Sequence, residues 1–169
     1  MSRPLHLVVM GVAGIGKSTV AGRLATDLDL EFAEGDDFHP PANVAKMSRG
    51  EPLTDEDRSP WLESLAAWTR ERHDSGRSTV VTCSALRRAY RDSLRRGAPE
   101  TFFVHLHGDA ETIRRRMESR QHFMPVELLR SQLDTLEPLA DDESGMVVDA
   151  TLGLDAIATL VERRIESGQ

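Results

Sequence analysis

Apolar positions along the chain fall into two alternating rhythms. Leu5–Met10, Leu30–Ala33, the β-branched run Ser78–Cys83, Thr101–Leu106 and Met146–Val148 are short apolar runs that read as buried strands. Between them the apolar residues return every three or four positions, the period of one helix face. Val20, Leu24 and Leu28 mark the first such helix. Ser59 and Pro60 read as the N-cap and first residue of a second, which carries Trp61, Leu65 and Trp68 inward and fades near Asp74. Helices are also predicted over Leu86–Arg95, after Asp109 with Ile113 and Met117 inward, from Pro125 to about Leu136, and over Leu154–Ile165. Residues 34–58, rich in Pro, Gly, Asp and Asn, read as loop with a short helix. Strands alternating with helices predict an α/β fold, a parallel sheet covered on both faces. Its ligand site belongs beyond the carboxyl ends of the strands.

At the end of the first strand stands GVAGIGKST, residues 11–19, running straight into a helix. This is the phosphate-binding loop pattern in the strand–loop–helix context that it requires. Backbone N–H groups of Gly11, Ala13, Gly14, Ile15 and Gly16, together with the helix N-terminus, would hold phosphate oxygens. Lys17 would reach the β- and γ-phosphates, and Ser18, followed by Thr19, would ligate Mg²⁺. ATP and Mg²⁺ are therefore the expected cofactors. An Asn-Lys-x-Asp guanine-reading motif is absent, and the D-x-x-G at Asp142–Gly145 precedes the last strand, which argues against a GTPase. The second cluster, EGDDFHP at residues 34–40, places Glu34, Asp36 and Asp37 at the end of the second strand. Phosphoryl transfer needs a group to orient and deprotonate the attacking hydroxyl and support for the magnesium shell. A solvated acidic turn is the alternative reading.

Composition narrows the partners. The 169 residues carry 28 acidic against 21 basic side chains, a formal charge of −7, which argues against a nucleic-acid binder. No apolar run approaches the ~20 residues that a membrane span needs. Arg3 and the apolar stretch behind it imitate a leader peptide only weakly, since they lead directly into the glycine-rich loop. The lone Cys83 fits a reducing, cytoplasmic setting and reads as a small buried filler. Among the 21 basic residues only Lys17 and Lys46 are lysines. Lys17 has a reason to resist arginine, because a phosphate cradle wants a slim point charge on a flexible stem. Arg116 and Arg120 lie four apart; they could neutralise a transferring phosphoryl group or stack on adenine, or simply line a solvated helix face.

Taken together, GVAGIGKST, EGDDFHPPANVAKMSRGEPLTDEDRSPWL, VVTCSALRRAYRD and HFMPVELLRSQLDTLEP closely resemble the small P-loop gluconokinases, from about Val8 to Asp149. The resemblance implies a single three-layer kinase domain over residues 1–169, related to adenylate and shikimate kinases. It further implies five parallel strands in the order 2-3-1-4-5 and a mobile lid over about residues 116–127. The implied activity is ATP-dependent phosphorylation of D-gluconate to 6-phospho-D-gluconate, by a cytoplasmic homodimer. On that resemblance Asp36 would contact the accepting hydroxyl as base and Glu34 would support the metal. His39, Lys46, Arg58, Ser84, Arg87 and His122 would line the sugar acid, while Arg120 would act in catalysis and Arg116 at the nucleotide. An arginine offers a bidentate fork to a carboxylate.

Overall fold

The computed structural model describes residues 3–119 and 126–168. Strands His6–Met10 (β1), Glu31–Glu34 (β2), Thr79–Thr82 (β3), Phe102–His107 (β4) and Gly145–Asp149 (β5) form one sheet. Every pairing in it is parallel and the order is β2-β3-β1-β4-β5, as the family resemblance implied. The helices are Lys17–Leu28 (α1), Pro41–Ser48 (α2), Asp55–Asp74 (α3), Arg88–Arg95 (α4), Ala110–Ser119 (α5), Val126–Thr135 (α6) and Leu154–Glu166 (α7). Because successive strand residues point to opposite faces, β1, β3 and β4 each feed two cores. Leu7, Val9, Val80, Phe102 and Val104 pack with Leu24 of α1 and Val161 of α7. Val8, Met10, Val81 and Phe103 pack with Trp61 and Leu65 of α3 and with Leu94 of α4. The result is three layers, with all strand carboxyl ends on one side. No helix among the described residues is long and apolar enough to cross a membrane.

Two helix starts differ from the sequence reading. The second long helix begins at Asp55 instead of Pro60, because Thr54 closes a capping box. The Asp57 N–H donates to Thr54 Oγ1 at 3.1 Å, and the Thr54 N–H donates to Asp57 Oδ2 at 2.9 Å. Asp55, Glu56 and Asp57 then sit at the positive end of the helix dipole. This outweighs the single helical bond that Pro60 forgoes inside α3. Further on, α4 begins at Arg88 instead of Leu86. Ala85 has φ 47°, outside any right-handed helix, and the carbonyl of buried Leu86 accepts the Glu137 N–H at 2.6 Å.

Two histidines are buried in the sheet, and both are held neutral. His6 bonds Thr79 Oγ1 at 2.7 Å and His73 Nδ1 at 3.0 Å, and burial, followed by the neighbouring His73, lowers its pKa to about 4. His105 is lowered to about 4 by burial, then by His107 and Arg91. Both bind protons less readily folded than unfolded, so between the native value near 4 and the ordinary 6.5 the unfolded chain holds more protons. Stability therefore rises with pH across that window and is lost as pH falls through it, by at most about 1.4 kcal/mol per pH unit per group. Melting curves at pH 5 and 7.5 should show the lower Tm at pH 5, and His105→Gln should shrink the difference. An unchanged difference removes His105 from the account.

Candidate active site

The carboxyl ends of β1, β2 and β3 bring the loop 11–16, the acidic turn 34–38 and the loop 83–87 together. Gly16 caps α1 with φ 107°, a left-handed conformation in which a side chain would be strained, and the space beside it is open. No side chain caps this end of α1, and the positive helix end beside that open space is a ready site for an anion. Ser18 and Thr19 are exposed in the first turn. Ile15 is buried with Val20 and Leu106, so its side chain anchors the loop and only its backbone can meet a ligand. The Ala13 N–H donates to Gln132 Oε1 of α6 at 2.7 Å. Lys17 folds back over its own loop, its Nζ donating to the carbonyls of Gly11 at 3.0 Å and Val12 at 3.1 Å. Burial pushes the ammonium pKa down, opposed by the nearby Asp36, Cys83 and Glu34. Those groups stand at or just after the carboxyl ends of β2 and β3, so the charges of the acidic cluster are felt at the phosphate loop.

At the end of β2 the chain turns through a short 3-10 segment, Gly35–Phe38. Gly35 permits this: a Cβ on it would drive into the Thr82 carbonyl of β3. Thr82 holds the turn from the other side, its hydroxyl donating to Glu34 Oε2 at 2.7 Å and accepting the Gly35 N–H at 3.1 Å. The Asp36 side chain is 89% exposed, the open position expected of a group that must meet a substrate. His39 follows with its side chain only 3% exposed, its Nε2 3.9 Å from Asp36 Oδ1. Its ring stacks on Trp61 at 4.0 Å between centroids and 19° between planes. Trp61 is itself fixed by donating Nε1–H to the Gly35 carbonyl at 2.7 Å.

Arg58 and Arg87 converge from α3 and from the loop before α4. Arg58 Nη1 donates to Tyr90 Oη at 3.1 Å, and Tyr90 donates to Asp55 Oδ1 at 2.5 Å. Asp55 Oδ1 and Oδ2 lie 3.8 and 3.9 Å from Arg58 and Arg87 respectively. Two guanidinium groups thus gather around one carboxylate, as they would around that of an anionic ligand. The Ser84 carbonyl accepts the Gly11 N–H at 3.3 Å and ties this loop to the phosphate loop. Cys83 is buried, and burial pushes its thiol up to about 12, so it stays protonated and serves as packing.

Lys46 is placed differently from the others. Its Nζ pairs with Asp57 Oδ2 at 2.7 Å, which bolts α2 to the first turn of α3. Arg116 lies on α5, whose Ile113 and Met117 are buried as the helical spacing predicts, and its charge helps Thr151 to hold the Asp149 pKa down. Arg120 and His122 lie outside the described residues, as does half of the segment 116–127 read as a lid. The sequence reading missed Asn43, Tyr90, Asp55 and Gln132. Asn43 alone left a local trace, four residues after His39 and three before Lys46, the spacing of one helix face.

A five-stranded parallel sheet in this order, with a phosphate loop after β1 and carboxylates after β2, defines an α/β fold of the P-loop kinase class. The AAA domain profile matches residues 7–139. By its relatives the chain belongs to the gluconokinase family. It is 53% identical over 142 residues to a gluconokinase of Gluconobacter oxydans, covering 83% of this chain and 80% of that one. Among solved structures, a sugar kinase from Janibacter sp. HTCC2649 superposes with a TM-score of 0.92 at 53% identity, covering 96% of this chain and 95% of that one. A gluconokinase from Sinorhizobium meliloti 1021 does so with a TM-score of 0.83 at 42% identity, covering 99% and 100%.

Proposed function

We propose that this protein transfers the γ-phosphoryl group of ATP to the 6-hydroxyl of D-gluconate, giving 6-phospho-D-gluconate and ADP. The observation that carries the reading is the gathering of Glu34 and Asp36 around Lys17 at the strand ends. The loop 11–19 cradles the phosphates through its N–H groups, and Lys17 leaves its own carbonyls to neutralise the β- and γ-phosphate charge. Asp36 orients the sugar hydroxyl and takes its proton as the new O–P bond forms and the bond from the γ-phosphorus to the leaving ADP oxygen breaks. Arg58 and Arg87 turn from Asp55 to the gluconate carboxylate, with His39 and Ser84 at its hydroxyls. Arg116 on the nucleotide, Arg120 in catalysis and His122 at the sugar acid belong to the segment that closes over the site.

Ser18 and Glu34 offer the hard oxygen donors that Mg²⁺ takes, and Glu34 is already oriented by Thr82. Bound there, the ion would draw charge from the phosphate oxygens, with Ser18 on it directly and Glu34 supporting its water shell. The site as a whole is mostly a positioning device, since phosphoryl transfer needs little covalent help. We further read the protein as a cytoplasmic homodimer of one kinase domain per chain.

A coupled assay of ADP release over a panel of sugar acids and polyols tests the reading. Release should depend on gluconate and disappear with EDTA. Release without an acceptor, or none with any acceptor, overturns it. Size-exclusion chromatography with light scattering checks the dimer.

A further inference from the structure

Asn43 is 3% exposed, an unusual place for an amide, and both its hydrogens are spoken for. Its amide nitrogen lies 2.8 Å from the Asp57 carbonyl oxygen. A carbonyl can only accept, so the atom facing it must be the NH₂ nitrogen and not the amide oxygen. The same nitrogen is 3.2 Å from His39 Nδ1, and its second hydrogen points there. His39 Nδ1 therefore accepts and carries no proton, so the neutral ring holds its proton on Nε2, the atom that faces Asp36. The ring is neutral because burial lowers its pKa, with Arg58 of α3 adding to the lowering and Asp36 of the 3-10 turn opposing it.

We propose that Asn43 is a positioning residue that fixes His39 as the Nε2–H tautomer, so that a neutral donor backs the Asp36 carboxylate and the hydroxyl it deprotonates. This rests on the reading of Asp36 as the proton acceptor. At 3.9 Å the two groups are too far apart for a hydrogen bond of their own. A sugar hydroxyl oxygen seated beside both can accept from His39 Nε2–H while it donates to Asp36, which aims its lone pair at the phosphorus. The surroundings of the ring leave it little freedom. Trp61 fixes its plane, and the Asp57 carbonyl that orients Asn43 belongs to the residue held by the Thr54 capping box and by Lys46. Lys46 thus also bears on His39, through Asp57 and Asn43.

The tautomer can be read in the unaltered protein by long-range ¹H–¹⁵N spectra of ¹⁵N-histidine-labelled enzyme at pH 7.5, with His39 assigned by its loss in His39→Gln. A protonated Nε2 and a bare Nδ1 are expected; the opposite tautomer or an imidazolium overturns the proposal. Asn43→Asp then puts an acceptor where a donor stood, which drives the ring proton to Nδ1 and turns an Nε2 lone pair toward Asp36. Its kcat should fall roughly tenfold to a hundredfold, the cost of a misplaced catalytic group. KM for ATP should stay within about threefold, because the phosphate loop is untouched. An Asn43→Asp enzyme with normal kcat overturns the proposal. Asp36→Asn measured beside it separates the two readings. If that variant keeps near-normal turnover, the assignment of Asp36 fails and the positioning role with it. If it collapses while Asn43→Asp keeps its kcat, the positioning role alone fails.

Discussion

Asp36→Asn should lower kcat by ~10²–10⁴, the usual contribution of general base assistance. The change is close to isosteric and the side chain is 89% exposed, so the fold has little reason to respond. What is lost is the ability to take a proton, which an amide lacks. Nucleotide binding depends on the loop 11–19 and not on this carboxylate, so KM for ATP should hold while kcat falls, the pattern of an interaction made in the transition state. Steady-state kinetics with a melting curve on the same preparation decide the matter. Turnover near normal would remove Asp36 from the mechanism, and a large drop in Tm would show that the loss was structural.

Arg91→Met should be among the most destabilising single changes in the chain. Arg91 is fully buried, and its Nε and Nη2 donate to the equally buried Glu143 at 2.8 and 3.0 Å. Arg95 also reaches Glu143, and the Ala140 N–H donates to it at 2.8 Å. Burial works to raise the Glu143 pKa, but the bonds from Arg91, Ala140 and Arg95 outweigh it and hold the carboxyl at about 2. Removing Arg91 leaves a buried carboxylate short of its main partner, a loss of about 3–5 kcal/mol. For a chain of this size that is a fall in Tm of roughly 6–20 °C. The double variant Arg91→Met/Glu143→Leu should recover much of the loss, since no lone charge remains. A single variant melting within a degree or two of the parent would refute the argument. Activity should suffer as well, for Arg91 Nη1 also donates to the Ala85 carbonyl at 2.9 Å. It thereby pins the left-handed turn that presents Ser84 to the phosphate loop.

Which features could be read from the chain, and which could not, follows from how local their causes are. The phosphate loop was legible because nine consecutive residues carry its whole sequence pattern. The central strands β1, β3 and β4 were legible because both their faces are buried and leave uninterrupted apolar runs, as in Leu7–Met10. Trp61 and Leu65 were rightly turned inward, yet the start of their helix was misjudged. A proline at a plausible first position is a weaker signal than Thr54 and Asp57 capping each other three residues apart. The Arg91–Glu143 pair left no trace, because its partners are 52 residues apart and charged side chains read as surface. Lys46 stood out by rarity and motif, but its pairing with a carboxylate on the next helix was not legible, because that contact is made only in space. The block around His39 to Arg58 was recognisable as a unit. Its internal wiring was not, since that depends on which carbonyl an amide meets in space.

The order of the strands also governs how this chain must come into being. The central strand β1 is made first, but His6 pairs with Thr79, 73 residues later, and Leu7 with Phe102 on the other side. Until synthesis has passed β3 the strand that carries the phosphate loop has no neighbour, and until it has passed β4 it has only one. The loop can exist earlier as sequence but not as a cradle, because its backbone is held by Ser84 and Gln132 from far down the chain. Pairings this distant in sequence close slowly. During that interval an uncovered apolar strand offers its edges to other nascent chains. The elongation of the chain itself, through β4 to α6, therefore sets when this protein can first hold a nucleotide and how long it must be shielded before then.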